Sequence, residues 1–83
     1  MNPVARIRHG DGEVHIDVRG LPPPQPLVEI LHLIASVPFG TTVIVHHDRE
    51  PALLYAELTQ AGWLADRIPG APGEVCLRLT RST

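Results

Sequence analysis

From Val14 to Arg19 apolar and polar side chains alternate without a break, with Val14, Ile16 and Val18 on one side and His15, Asp17 and Arg19 on the other. A period of two belongs to an extended chain, so this stretch predicts a strand with one covered face and one wet face. The period then changes. Leu27, Ile30, Leu31, Ile34 and Val37 recur at helical spacing opposite Gln25, Glu29, His32 and Ser36, which predicts an amphipathic helix. Val28 and Leu33 fall outside that stripe and widen its apolar face, as a helix covered by a second subunit would require. Pro38-Phe39-Gly40 ends the helix, because proline cannot continue it and glycine tolerates the closing turn.

Thr41 to His47 is β-branched and apolar, as a central strand requires. A second helix follows over Ala52 to Ala61, with Leu54, Leu58 and Ala61 on one face, Gly62 as its stop, Pro51 in its first turn and Asp48 or Glu50 placed to cap it. Trp63 to Ile68 reads as a short strand, Pro69-Gly70-Ala71-Pro72-Gly73 as a turn, and Glu74 to Arg81 as a strand in which Val75, Leu77 and Leu79 alternate with Cys76, Arg78 and Thr80. Residues 1–12 have two readings: a flexible terminus, or an extra N-terminal strand closed onto the next by the turn signal His9-Gly10-Asp11-Gly12-Glu13.

The order β-α-β-α-β-β predicts parallel strands where a helix intervenes, with right-handed crossovers, and an antiparallel final pair. Because the strands alternate rather than being apolar throughout, both helices belong on one sheet face. The expected architecture is an α/β two-layer sandwich, a mixed four-stranded sheet with two helices on one face, forming one domain over residues 1–83.

Composition narrows the function. Trp63, Tyr55 and Phe39 are the only aromatics, so the core is built from Leu, Ile, Val and Ala, and association into a homodimer through the wide helix face or strand edges is expected. The net charge is −2 and the seven cationic residues are arginines scattered along the chain, which argues against a nucleic-acid footprint. The most apolar segment is interrupted by Glu29 and His32 and no apolar leader follows Met1, so neither a membrane span nor a signal peptide is expected. Cys76 is alone. That rules out an intrachain disulfide and suits a cytoplasmic location. No Gly-rich phosphate loop or serine–histidine frame occurs, so no enzyme and no resident cofactor are expected.

The junction from Asp17 to Pro26 holds the most specific signal. Its prolines fix φ and remove backbone donors, so a rigid turn must separate strand from helix, with Pro24 or Pro26 starting the helix. Asp17-Val18-Arg19-Gly20-Leu21 followed by Pro23-Pro24-Gln25-Pro26 resembles the opening of the TusA/SirA-like sulfur-carrier family, and the element order is similar too. With His47-Asp48-Arg49-Glu50-Pro51, the chain looks closest to an uncharacterised bacterial branch of that superfamily, a conserved domain of unknown function, over roughly Val14 to Arg81. The resemblance implies the family's fold. It also implies a Cys-Pro-x-Pro motif whose cysteine carries a persulfide at the start of the first helix. Here Pro24, Gln25 and Pro26 match Pro-x-Pro, but Pro23 occupies the cysteine position. The usual sulfur chemistry is therefore absent.

Three expectations remain. The leading one is a binding or interaction module. Both helix starts follow parallel strands and lie at one sheet edge, where open α/β sheets take ligands. Arg19, His47, Arg49 and Glu50 would frame a protein partner or small anion there, beside the structural turn of Gly20, Leu21, Pro23, Pro24 and Pro26. The second is a sulfur or redox relay through Cys76, beside Arg78 on the polar sheet face. The third is a divalent transition metal held by His15, Asp17 and His46 across that face. His46 and His47 point to opposite sides of a strand and cannot share an ion.

Overall fold

The computed structural model describes residues 4–82. Along the chain run β1 (Arg6–Gly10), β2 (Glu13–Asp17), α1 (Gln25–Ser36), β3 (Thr42–His47), α2 (Ala52–Gln60), β4 (Trp63–Ile68) and β5 (Val75–Arg81). The strands form one mixed sheet in the order β1-β2-β3-β5-β4. It has five strands, not the four expected. The difference is β1, which folds back antiparallel on β2 through Asp11 and Gly12, with Gly10 opposite Glu13. Gly12 supplies φ of 68° at that turn, a value that strains any side chain. No residue of β1 is buried, so no apolar pattern announces it.

β2 and β3 are parallel, and β5 is antiparallel to both β3 and β4. β4 therefore runs parallel to β3 but one place further out, with β5 inserted between them.

One face of the sheet carries the core. Val14, Val43, Leu79 and Ala65 form one cross-strand row, and Ile16, Val45 and Leu77 form the next. Ile30, Leu33 and Ile34 of α1 and Leu54 and Leu58 of α2 join the same cluster, so both helices cover that face. The buried residues of α1 are Pro26, Ile30, Leu33 and Ile34, with Val37 buried at its C-cap, while Leu27 and Leu31 pack at its flank and Val28 stays exposed. Leu33 thus belongs to the chain's own core and is not left for a second subunit.

At the far end of α1, the Arg81 guanidinium lies between Phe39 and Trp63, 4.9 and 4.7 Å from their ring centres, and donates to the Val37 carbonyl at 2.9 Å. This ties the helix C-terminus to the sheet by cation–π contact and a charged hydrogen bond. Among the described residues no helix is long and apolar enough to cross a membrane.

Candidate functional site

Two sites flank the end of β3, one on each sheet face. The first lies where the proline turn meets the loop from β3 to α2. Gly20, with φ of 82°, donates its N–H to Asp48 Oδ2 at 2.9 Å. That bond clamps the two junctions together and holds the Asp48 carboxyl below the usual carboxylate range. Asp48 is therefore a clamp and not a helix cap. The N-caps are Pro24 and Pro51, neither with a side-chain cap, and Glu50 instead accepts from Tyr55 Oη and from Arg67 at 2.7 Å.

Anion binding at these helix starts is weakened by their own backbone. Gln25 and Val28 donate back to Pro22 and Pro24, and Ala52 and Leu54 donate to Glu50 and Pro51. Pro26 has no N–H to offer. What the two starts enclose instead is an apolar groove of about 300 Å³ lined by Pro23, Pro24, Leu27, Ile30, Pro51 and Leu53, with Arg49 also on its wall.

His47 is the buried polar member of that lining, 3% exposed. Its Nδ1 accepts the backbone N–H groups of Asp48 at 2.9 Å and Arg49 at 3.3 Å. An imidazole nitrogen that accepts carries no proton, so the ring's proton sits on Nε2. The 3.3 Å approach of Asp48 Oδ1 to Nδ1 is then a contact between lone pairs and not a hydrogen bond. Among the described residues Nε2–H has no partner.

Arg19 is not part of this groove. Its Nε and NH2 grip Asp17 at 2.9 and 2.8 Å, and its NH1 reaches Glu74 at 3.2 Å, all on the uncovered sheet face. Arg49 stays at the groove and contacts Asp48 at 3.4 Å.

The second site is on that uncovered face. Strand register aligns Arg6, Asp17, His46, Cys76 and Ile68 in one row across all five strands, and Arg8, His15, Ile44, Arg78 and Asp66 in the next. His46 Nδ1 lies 3.7 Å from Cys76 Sγ and 3.3 Å from Glu74 Oε2, and its Nε2 lies 2.9 Å from His15 Nδ1. His15 Nε2 in turn meets Glu13 Oε1 at 2.8 Å. Two of the three metal candidates, His15 and His46, meet here together with the relay candidate Cys76. Asp17 does not join them, because Arg6 and Arg19 occupy its carboxylate. Glu74 takes its place. Only the pairing of β3 with β5 brings Glu74 to His46; in sequence its one signal is that it lies two positions before Cys76.

Cys76 is 4% exposed, and burial, with the Glu74 charge, pushes its thiol above the usual value. A relay cysteine needs an accessible thiolate, and this one is a covered thiol.

Asp17 sets the acid limit of this face. The Arg19 side chain first, then its backbone N–H and Arg6, hold the Asp17 carboxyl well below the ordinary range against the opposing effect of burial. A depressed folded value means the stabilisation is complete above the unfolded value near 4 and is lost as pH falls through the folded one. Acid titration of the native chain should therefore show a stability loss below about pH 4 that Asp17→Asn lacks. Equal acid slopes for the two proteins would remove this role.

A family model described as an uncharacterized conserved protein, DUF2249, matches residues 15–81. The chain belongs to the DUF2249 family. No curated protein and no solved structure gives a match. The DUF2249 span takes in the whole groove and, on the uncovered face, His15, Asp17, Arg19, His46, Glu74 and Cys76; it leaves out β1 and Glu13.

Proposed function

We propose that this DUF2249 chain is a small binding module whose ligand occupies the groove between the two helix starts. The observation that carries the reading is His47, a buried ring with its tautomer set by two backbone amides and its Nε2–H left without a protein partner. The one buried side-chain nitrogen or oxygen without a partner among the described residues is Arg81 Nε, so the His47 Nε2–H opens onto the groove, where a ligand acceptor can reach it. The walls are otherwise apolar apart from Arg49 and Glu50, and a pocket near 300 Å³ is at the small-molecule end of the usual range. The chemistry that fits is a short apolar group ending in a carboxylate, with the acceptor toward His47 and Arg49.

Kinship with TusA/SirA-like sulfur carriers is part of the same proposal. The Pro-x-Pro start of α1, the order of elements after β1 and the two helices on one face agree with it. Pro23 lines the groove where that family's cysteine would stand, so the edge is left for binding rather than for sulfur transfer. A free thiol at Cys76 fits action in the cytoplasm.

Hexanoate and hexanol are suitable probes in an amide NMR titration. Hexanoate should shift amides within residues 23–30 and 47–54, and hexanol should do so more weakly. Arg49→Gln should narrow the difference between them. Shifts confined to the uncovered face, or none at millimolar probe, would sink the reading.

A further inference from the structure

The uncovered sheet face holds an arrangement that groove binding does not use. Glu13 ionised can only accept, so His15 Nε2 carries a proton and donates to it at 2.8 Å. With both rings neutral, His15 Nδ1 is a lone pair, and the neighbour that meets it at 2.9 Å, His46 Nε2, is the donor. The two rings lie with planes 17° apart and centroids 5.2 Å apart, close to the sum of two ring radii and one hydrogen bond. The rings therefore meet edge to edge, as an N–H···N bond requires. This leaves His46 Nδ1 as a lone pair pointing at Glu74 Oε2 and Cys76 Sγ, 3.3 and 3.7 Å away.

A nitrogen lone pair facing a carboxylate oxygen is repulsive unless a proton or a metal cation lies between them. Tetrahedral zinc would set neighbouring nitrogen and oxygen donors about 3.4 Å apart and nitrogen and sulfur donors about 3.6 Å apart. The observed separations are close to both. All three donor atoms lie within 4.8 Å of one another.

We propose that His46 Nδ1, Glu74 and Cys76 form a binding site for a divalent transition metal of the zinc type, with a fourth position open to water. The donor set of imidazole, carboxylate and thiolate suits such an ion. His15 and Glu13 supply the outer hydrogen bonds that a metal-bound histidine needs to fix its tautomer and orientation. Glu74 is held in place independently, because its Oε1 accepts the Ala71 N–H at 3.2 Å. Gly70 makes room for it, since a Cβ there would stand 2.5 Å from Oε1 and 3.2 Å from the Cys76 Cβ. A concavity of about 300 Å³ bordered by Arg6, Arg8, His15, His46 and Glu74 leads in from solvent.

Binding releases the Cys76 thiol proton to solvent and breaks the 3.2 Å contact of Arg19 with Glu74. Arg19 opposes the ion, yet it keeps both bonds to Asp17 when that contact opens. This gives the site an unusual signature: removing a neighbouring arginine should tighten it.

Cobalt(II) is the test probe on the full chain. The native protein should bind one equivalent with the visible bands of a tetrahedral ion and a near-ultraviolet thiolate charge-transfer band. Cys76→Ser should lose that band, and His32→Gln, on the exposed side of α1, should keep it. His15→Gln should weaken binding about 10- to 100-fold while retaining the band. Arg19→Gln should strengthen zinc binding in a competition titration. An aqueous octahedral spectrum from the native chain overturns the proposal without any variant. So does equal affinity in Cys76→Ser and Glu74→Gln, or weaker binding in Arg19→Gln.

Discussion

Leu77→Ala is expected to lower the unfolding free energy by about 2–5 kcal/mol. Leu77 is 1% exposed and sits on β5, opposite Val45 of β3 and Arg67 of β4. Truncation would remove apolar contacts and leave a cavity between the sheet and the helices, which the strands on either side cannot close without breaking their ladders. A chain of 83 residues has a total stability of roughly 4–12 kcal/mol. The loss is then a large fraction of the whole, and the melting temperature should fall by at least about 8 °C. Circular dichroism during urea and thermal unfolding measures both. A loss below about 1 kcal/mol would mean that the core does not pass through this row.

His47→Leu is the second large effect, because it separates the shape of the groove from its chemistry. Leucine fills much of the same volume but accepts no hydrogen bond. The amides of Asp48 and Arg49 lose Nδ1, part-buried hydrogen bonds each worth about 0.5–1.5 kcal/mol. Those two amides should exchange with solvent faster. The Gly20–Asp48 clamp one residue away should loosen with them. Hexanoate shifts in the groove should vanish, since no Nε2–H remains. His47→Gln, which keeps an acceptor, should restore part of the exchange protection. Unchanged exchange at Asp48 and Arg49 in His47→Leu would remove the ring from its supporting role.

Elements with a buried face were legible from residue pattern alone. β4 spans Trp63–Ile68 as read, because Gly62 and Pro69 bracket an obvious strand. α1 is legible too: of its apolar stripe Ile30, Ile34 and Val37 face in, with Leu33 beside them and Leu27 and Leu31 at the flank. Leu33 looked peripheral beside Leu27 and Leu31, and only contact with the sheet decides which side of a broad stripe faces in. β1 was ambiguous for the opposite reason: all five of its residues are exposed. The candidate sites were harder still. Arg19 follows the strand face of Asp17, and that carboxylate draws it onto the sheet and away from the groove. His46 and Cys76 were each visible, but nothing in a linear chain says that residues 30 apart share a row. Register across β3 and β5 makes that pair and recruits Glu74.

The placement of β5 also governs the order in which the sheet can be assembled. It is the last strand in sequence, yet it is hydrogen-bonded on both sides, to β3 and to β4. Until β5 arrives, β4 has no partner and β3 presents an open edge. A nascent or partly folded chain that has made everything up to Ile68 therefore holds one open strand edge, on β3, and one unpaired strand, β4. Any extended peptide that reaches the open edge first can add to it. The interval between making β4 and inserting β5 is when this chain is most exposed to mispairing, and faster closure of the Pro69–Gly73 turn would shorten it.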